Sequence, residues 1–463
     1  LSVENYRQLT TDNITMIKHL RWLDVRDRGA FVRLTGVLFL VYMATGLWAP
    51  LLAVYTRSLG ADAAQIGLVL ATFQATSLAS QYWWGRLSDR LGRRKPLLLL
   101  GTAGLGAAYL GIASVDHYSW LFAARALEGV ALAAYSIGSL ALIGDLLEDQ
   151  ASRGRLMGTY RMFGSLAFSI AALSGGWLAD QFSLRVPLFA AATCYILAGM
   201  LGSRIKERPA TTDDRPPTTP STRRFPSSSR GRAGDDRPPI ANAGSRSGTL
   251  WVVLSSIASA LPADALARRA LWSFLGLIFT WMFSFGAVIS LWPVYMNTIG
   301  YSQTAIGGLW ALAALGEVPC LLLAGYLSDR WGRKWVMLVG MALMSGVFLA
   351  YTLSPVFAWL VGAQMVRSLA YACFEAPSLL YATELGLRQQ RGRLAGMYYS
   401  ASGVGGILGA AAGGAVAQRI GMPLMFQGVV AIMLATVAIA AKVMPRLRPP
   451  APEPAAIPAM RDV

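Results

Sequence analysis

Imidazoles and thiols are almost missing from this chain. Its 463 residues hold two histidines, His19 and His117, and three cysteines, Cys194, Cys320 and Cys373, each cysteine inside a long apolar run and at no metal-like spacing. A zinc site, a disulfide framework and Cys/His catalysis are therefore poorly supported. Charge is scarce as well: Asp, Glu, Lys and Arg make up 14% of the sequence, where a soluble domain carries about 25%. Hydrophobic residues fill 55% and the mean hydropathy is +0.46, so a water-soluble fold would have nowhere to hide its apolar surface. No nucleophile–base pair, metal cluster or phosphate loop stands out, which leaves an enzyme without support. The charged stretch 1–33 has no apolar core followed by a small-residue cleavage site, so no signal peptide is expected.

What the chain does have is hydrophobic runs of bilayer-crossing length. A bilayer core about 30 Å thick needs about 20 apolar residues in helical form. Such runs fall at about 34–56, 65–84, 97–115, 119–142, 156–178 and 187–204, and again at 271–294, 304–323, 335–353, 356–381, 394–417 and 423–443. The expectation is an all-α membrane protein of twelve spans arranged as six plus six.

The net charge of +17 raises nucleic acid as a partner, but the position of the charges argues against it. With the chain start inside, Arg7, Lys18, Arg21, Arg26, Arg28 and Arg33 precede span one, and further clusters surround Arg93, Arg153, Arg333, Arg391 and Arg446 on the same side. Only Arg57, Arg185 and Arg419 fall in the opposite loops. This is the positive-inside pattern, with both termini cytoplasmic. Between the halves, residues 205–248 contain Pro216-Pro217, Ser227-Ser228-Ser229, Pro238-Pro239 and seven arginines from Arg215 to Arg246. That composition predicts a disordered cytoplasmic linker within 205–269, followed by a short apolar stretch, 250–261, that can lie along the membrane face. The expected organisation is a cytoplasmic segment 1–33, six-helix bundles 34–204 and 270–444, and a cytoplasmic tail 445–463.

The two halves carry the same short sentence. Gly85-Arg86-Leu87-Ser88-Asp89-Arg90-Leu91-Gly92-Arg93-Arg94 is followed 240 residues later by Gly325-Tyr326-Leu327-Ser328-Asp329-Arg330-Trp331-Gly332-Arg333-Lys334. Each is read as a charged turn between apolar runs. Arg153-Gly154-Arg155-Leu156 recurs as Arg391-Gly392-Arg393-Leu394, and Tyr55, Gly60, Ile66 and Gly67 recur as Tyr295, Gly300, Ile306 and Gly307. Parallel repeats of this kind place a substrate site at their interface.

On these residues the chain resembles the major facilitator superfamily of secondary transporters. The family's loop pattern G-x-L-[AS]-D-[RK]-x-G-R-[RK]-x-x-[LI] is matched from Gly85 to Leu97. The resemblance implies a gating loop formed by Gly85, Asp89, Arg90, Gly92, Arg93 and Arg94, with Gly325, Asp329, Gly332 and Arg333 as its echo. Gly85 would let two helices approach closely, Asp89 would face the N-terminus of a neighbouring helix, and Arg93 and Arg94 would pair with Asp89 and lipid phosphates. The alternative is that the turn only fixes topology.

A second resemblance is to the span-four pattern of proton-coupled exporters, L-x-x-x-R-x-x-Q-G, here Leu121, Arg125, Glu128 and Gly129, with Glu in place of Gln. Arg125 and Glu128 share a helical face and are either a proton-sensitive pair or a static ion pair. The exporters' span-five signature is degraded: Gly175-Gly176 is present, but Ala171-Ala172 stands where Gly-Pro belongs. In span eleven Gly405, Gly409, Gly413 and Gly414 keep the register, with Ala410 replacing the proline.

Span ten carries a polar stripe, Gln364, Arg367, Tyr371, Glu375 and Ser378, at intervals of three and four. Lipid cannot solvate that face, so it must look at protein or water. Because spans one, four, seven and ten line the cavity in the family, the resemblance implies substrate contacts from Gln364, Arg367 and Tyr371 together with Tyr42, Thr45, Tyr135, Ser139, Trp281 and Ser284. Each aromatic among them can equally be a packing residue. Glu317 in span eight is a further acid at depth; Glu317, Glu375, Arg125 and Glu128 are the proton-coupling candidates, any of which can instead be a structural partner. Asp145 and Glu384, near the cytoplasmic ends of spans four and ten, are expected to pair with adjacent arginines.

The expected function is alternating-access transport of a small organic solute, with proton-coupled efflux leading and a sugar or organic-acid importer as the alternative. A non-transporting receptor is a third reading. No cofactor, metal or nucleic acid is expected. The protein is expected to be a monomer in the bacterial inner membrane.

Overall fold

The computed structural model describes residues 27–147, 153–205, 265–384 and 391–444, and among them every regular element is helical. Span one is Arg28–Trp48 continued by Leu52–Ser58; spans two to six are Ala63–Leu91, Lys95–Ser114, Ser119–Leu147, Arg153–Gln181 and Arg185–Ser203. Span seven runs Ala265–Ser284, a π-turn Phe285–Ile289, then Ser290–Thr298; spans eight to twelve are Gln303–Trp331, Arg333–Leu353, Phe357–Glu384, Arg391–Ile420 and Met422–Val443. Eleven of the twelve are long and apolar enough to cross a membrane. Span two is the exception by composition, because Gln65, Thr72, Gln74 and Thr76 dilute its apolar run.

Local chemistry sets the ends. Asp62 and Gln65 form a capping box at the start of span two, and Ser302 accepts the Ala305 N–H at the equivalent start of span eight, satisfying donors that the first turn leaves unpaired. Both copies of the charged motif were expected to be turns, yet Gly85–Leu91 and Gly325–Trp331 form the last turns of their helices. Nothing in those stretches breaks a helix. The stop comes at Gly92 and Gly332, whose φ of 58° and 85° lie in the region that glycine enters without a Cβ penalty.

Prolines explain the interruptions. Pro50 follows the end of Arg28–Trp48, and Pro293 sits one turn beyond the π-turn of span seven. A proline has no N–H for the carbonyl four residues back, so the ladder must shift or break there.

The twelve spans belong to one compact unit. Within the first half the core is formed by residues such as Val37, Tyr109, Leu121, Ile143, Leu188 and Tyr195; within the second, Phe274, Trp281, Trp292, Phe348, Phe374 and Phe426 are fully buried. Much of the helical surface is conversely apolar and exposed, Leu322 at 78% and Trp120 at 67% among it, as a bilayer-facing surface requires. The halves meet along two seams, span two on span eleven and span five on span eight. Residues 1–26, nearly all of the 205–269 linker with its 250–261 stretch, and the 445–463 tail lie outside the described residues.

Candidate functional site

The seams are tight at one end only. At the end opposite the repeated motif, the far end, a Cβ on Gly67 would overlap the Ala410 carbonyl oxygen and stand 3.1 Å from Gly414 Cα. On the other seam, a Cβ on Gly307 would overlap the Ala172 carbonyl oxygen, and one on Gly176 would come within 2.8 Å of the Gln303 carbonyl carbon. Small residues therefore let helices from different halves touch backbone to backbone.

Side chains reinforce this closure. The Asp180 carboxylate at the end of span five accepts the Gln303 and Thr304 N–H groups at 2.9 and 2.7 Å and the Thr304 hydroxyl at 2.6 Å, capping span eight across the seam. At the repeat-related place, Gln418 Oε1 accepts the Ala63 N–H of span two at 3.0 Å.

At the motif end the seams part. A Cβ on Gly85, Gly158, Gly325 or Gly396 would meet nothing within 4 Å, and Tyr82, Trp83, Tyr326 and Tyr399 are exposed. Gly85 was expected to sit at a close helix approach; the close approaches are at Gly67, Gly176 and Gly307 instead, because the halves are apart where Gly85 lies.

Between the closed end and the open end is a cavity of 360 Å³. The first half supplies Tyr42, Ser165 and Phe168; the second supplies Trp281, Phe285 and Met282 from span seven, Trp310 and Glu317 from span eight, and Arg367, Tyr371 and Glu375 from span ten. Trp281 is held by face-to-face stacking on Phe374 at 3.9 Å, and its indole N–H donates to Glu375 Oε1 at 3.2 Å. The π-turn puts Phe285 beside Trp281 and Tyr371, with ring centroids at 5.0 and 5.8 Å. Arg367 is 6% exposed, donates to Gln364 Oε1 at 3.2 Å and stands over the Trp310 ring at 5.1 Å. Trp310 in turn faces Phe168 of the first half at 6.2 Å.

Six residues singled out from the sequence thus share one cavity wall: Tyr42, Trp281, Glu317, Arg367, Tyr371 and Glu375. The others do not line it. Thr45 donates to the Val41 carbonyl at 2.9 Å and lies 3.3 Å from the Tyr195 hydroxyl. Ser284 donates to the Thr280 carbonyl at 2.6 Å, Tyr135 is buried against Gly101 of span three, and Gln364 lies behind Arg367, fully buried. Ser139 pairs with Tyr160 at 3.1 Å, and its repeat partner Ser378 pairs with Tyr398 at the same distance. Thr45, Ser139 and Ser284 thus find their partners inside one half, while Tyr135 and Gln364 are buried there.

Arg125 and Glu128 do not reach the cavity either. They form an ion pair in which both side chains are buried, at 2% and 1% exposure. The Tyr109 hydroxyl donates to Glu128 Oε1 at 2.6 Å, and the guanidinium lies over Phe73 at 4.3 Å and Trp48 at 5.4 Å. This is a sealed cluster inside the first half.

At the motif end, the Asp89 and Glu384 side chains lie outside the described ones; Arg90, Arg93 and Asp329 are exposed, Gly92 and Gly332 end their helices, and Arg333 begins the next one. Arg94, expected on Asp89, is 3.0 Å from Asp145 of span four. Lys95, just past the first motif, and Lys334, the last residue of the second, also cap the last helix of their half: Lys95 donates to the Ser203 carbonyl and Lys334 to the Ala441 carbonyl, both at 2.7 Å, where helix carbonyls lack partners.

Sequence reasoning missed Ser165, Phe168, Phe285 and Trp310, and also Arg161, an exposed arginine one turn from Ser165 on span five. The spacing Arg161, Ser165, Phe168, Ala172 was available as a seam-facing stripe.

Comparison with known proteins agrees with this architecture. The MFS_1 like family matches residues 31–428. A puromycin resistance protein of Streptomyces alboniger is 30% identical over 71% of this chain and 69% of its own length. The maltose permease of Geobacillus stearothermophilus is 24% identical over 80% of this chain and 83% of its own, and multidrug resistance protein 2 of Bacillus subtilis 23% identical over 87% and 92%. Among solved structures, a nucleoside transporter NupG mutant superposes with a TM-score of 0.70 at 14% identity, covering 89% of this chain and 98% of its own. A bacterial homologue of the human lysosomal transporter Spinster, in an inward-facing and unoccupied conformation, gives 0.65 at 14% identity, covering 90% and 97%. Two repeated six-helix halves, a cavity on their seam and a family match over most of the sequence make this chain a member of the major facilitator superfamily.

Proposed function

We propose that this protein is a secondary transporter that exports a small organic solute across the bacterial inner membrane in exchange for protons. The observation that carries the reading is the cavity between the halves, sealed at the far end by backbone contacts and open toward the motif end. With the motif end cytoplasmic, as the positive-inside distribution favours, this is the inward-facing member of an alternating pair. Relatives named for puromycin and multidrug resistance support export; the maltose permease keeps import as the second reading.

In this scheme the bundles 34–204 and 270–444 rock about the cavity, acting as a monomer, and the 205–269 segment is their cytoplasmic strap. The Asp89 loop and its echo at Asp329 close the cytoplasmic side in the opposite state. Glu317 and Glu375 carry the coupling proton because they alone among the four candidates share a cavity with solute, while Arg125 and Glu128 serve as a structural pair.

The test is solute movement in sealed vesicles over a panel of dyes, antibiotics, sugars and carboxylates, with and without an uncoupler. Efflux that collapses with the proton gradient, and loses its pH dependence in Glu317→Gln or Glu375→Gln, is expected. Gradient-independent movement, or an unaltered pH profile in both variants, contradicts the coupling scheme; uptake rather than efflux selects the import reading.

A further inference from the structure

The repeat places Arg125 and Glu128 of span four at the positions of Gln364 and Arg367 in span ten, each 239 residues on. Ser139 and Ser378 have the same separation and make the same bond to a tyrosine of the following span. The first half therefore holds a guanidinium with its own carboxylate, whereas the second holds a guanidinium with an amide. That difference leaves Arg367 without a carboxylate in contact. Among the described residues Arg367 makes no ion pair within 4.0 Å, and neither its Nε nor the Gln364 side-chain nitrogen has a hydrogen-bond partner. Both side chains are more than nine-tenths buried, Arg367 at 6% exposure and Gln364 at 0%, and Arg367 opens onto the cavity. A guanidinium removed from water calls for an anion, and its planar fork suits a carboxylate.

The same cavity presents Glu317 and Glu375; among the described residues neither forms an ion pair with Arg367, and Glu317 attracts the guanidinium only across the cavity. Its remaining wall is aromatic, with Trp281, Phe285, Tyr371, Trp310 and Phe168. Arg161, an exposed residue one turn along span five from the cavity-lining Ser165, is a second cation of the first half. Resting on the transport reading above, we infer that the solute is amphoteric and aromatic: its carboxylate binds Arg367 and Gln364, its amine faces Glu317 and Glu375, and its ring lies among the span-seven and span-ten aromatics. A purely cationic solute would leave Arg367 unpaired, and a purely anionic one would leave two acids facing it.

The probe is Nε-dansyl-lysine, an aromatic zwitterion, compared with its methyl ester, which lacks the carboxylate charge, and its Nα-acetyl derivative, which lacks the amine charge. Binding to the purified full chain is read by energy transfer from tryptophan to dansyl. The zwitterion is expected to bind about tenfold more tightly than either derivative. Arg367→Gln should abolish the zwitterion's advantage by weakening the zwitterion and not the ester; Gln364→Met, a second variant should Arg367→Gln fail to insert, should lower the ratio several-fold. An ester that binds as tightly as the zwitterion, equal losses for both in either variant, or no binding of any probe overturns the inference. Proton-driven flux of a derivative in preference to the zwitterion would likewise overturn it while leaving the transport reading standing. A zwitterion preference without flux of any probe would instead remove the transport reading and leave the site.

Discussion

Replacing Glu128 with Gln strands the Arg125 guanidinium at a place where it is 2% exposed and Glu128 is 1% exposed. Removing one partner of a buried pair costs about 3–5 kcal/mol. The expected loss is at the lower end, about 3 kcal/mol, because Gln keeps a carbonyl acceptor and the Phe73 and Trp48 rings, 4.3 and 5.4 Å from the guanidinium, still contribute about 1–2 kcal/mol of cation–π attraction. Arg125→Met should cost about as much, since it leaves the Glu128 carboxylate with only the Tyr109 hydroxyl. The double variant removes both charges, keeps a carbonyl to accept from the Tyr109 hydroxyl and leaves the introduced amide nitrogen unpaired, a loss of about 1–3 kcal/mol. The pair should therefore show a coupling energy of about 3–5 kcal/mol in a double-mutant cycle. Reversible unfolding of the four purified proteins in detergent measures it, with proton-driven flux followed in parallel. Single losses below about 1 kcal/mol that simply add in the double variant would refute the structural-pair argument. Flux that vanishes in the double variant despite wild-type stability would return the pair to the coupling machinery.

Two further perturbations address the gates. Gly307→Val places a branched side chain where even a Cβ overlaps the Ala172 carbonyl oxygen. The strain, about 1–3 kcal/mol, falls only on the state closed at the far end, so the population should shift roughly fivefold to hundredfold toward far-end opening. Cysteine labelling at Gln303, which is 8% exposed at the far-end seam, should accelerate accordingly, and an unchanged rate would show that the seam is not the gate. Asp89→Asn should cut flux while leaving the protein in the membrane at normal abundance; unchanged flux removes the gating role of the loop.

The parts of this fold written plainly in the sequence are those with a periodic or repeated signal. Twelve apolar runs, the motif pair at Gly85 and Gly325 and the stripe of span ten all reflect a local constraint, since an α-helix in lipid must be apolar on its outer face and regular throughout. The side to which an isolated polar residue turns was less legible. Thr45 lies three residues from Tyr42, yet it points at Tyr195 within its own half while Tyr42 meets the cavity. A polar side chain in a bundle finds partners on any protein-facing side, so span membership alone does not aim it. The cavity aromatics Phe285 and Trp310 were hidden for a different reason: an aromatic in an apolar span reads as packing, and only the π-turn ahead of Pro293 turns Phe285 toward Tyr371. The close approach expected at Gly85 depended on which conformational state the halves adopt, which no local pattern encodes.

Reciprocal motion of the two ends is measured most directly by electron–electron distances in a chain with its three native cysteines replaced. One label pair, Arg57→Cys and Thr298→Cys, spans the far end, where both residues line a pocket open to the surface; the other, Arg86→Cys and Ser400→Cys, spans the exposed motif ends of spans two and eleven. The alternating cavity predicts a short far-end and a long motif-end distance in the state described here, exchanging for the reverse as solute or proton occupancy changes. Distances that widen or narrow together, or that stay fixed under every ligand and pH, would contradict it.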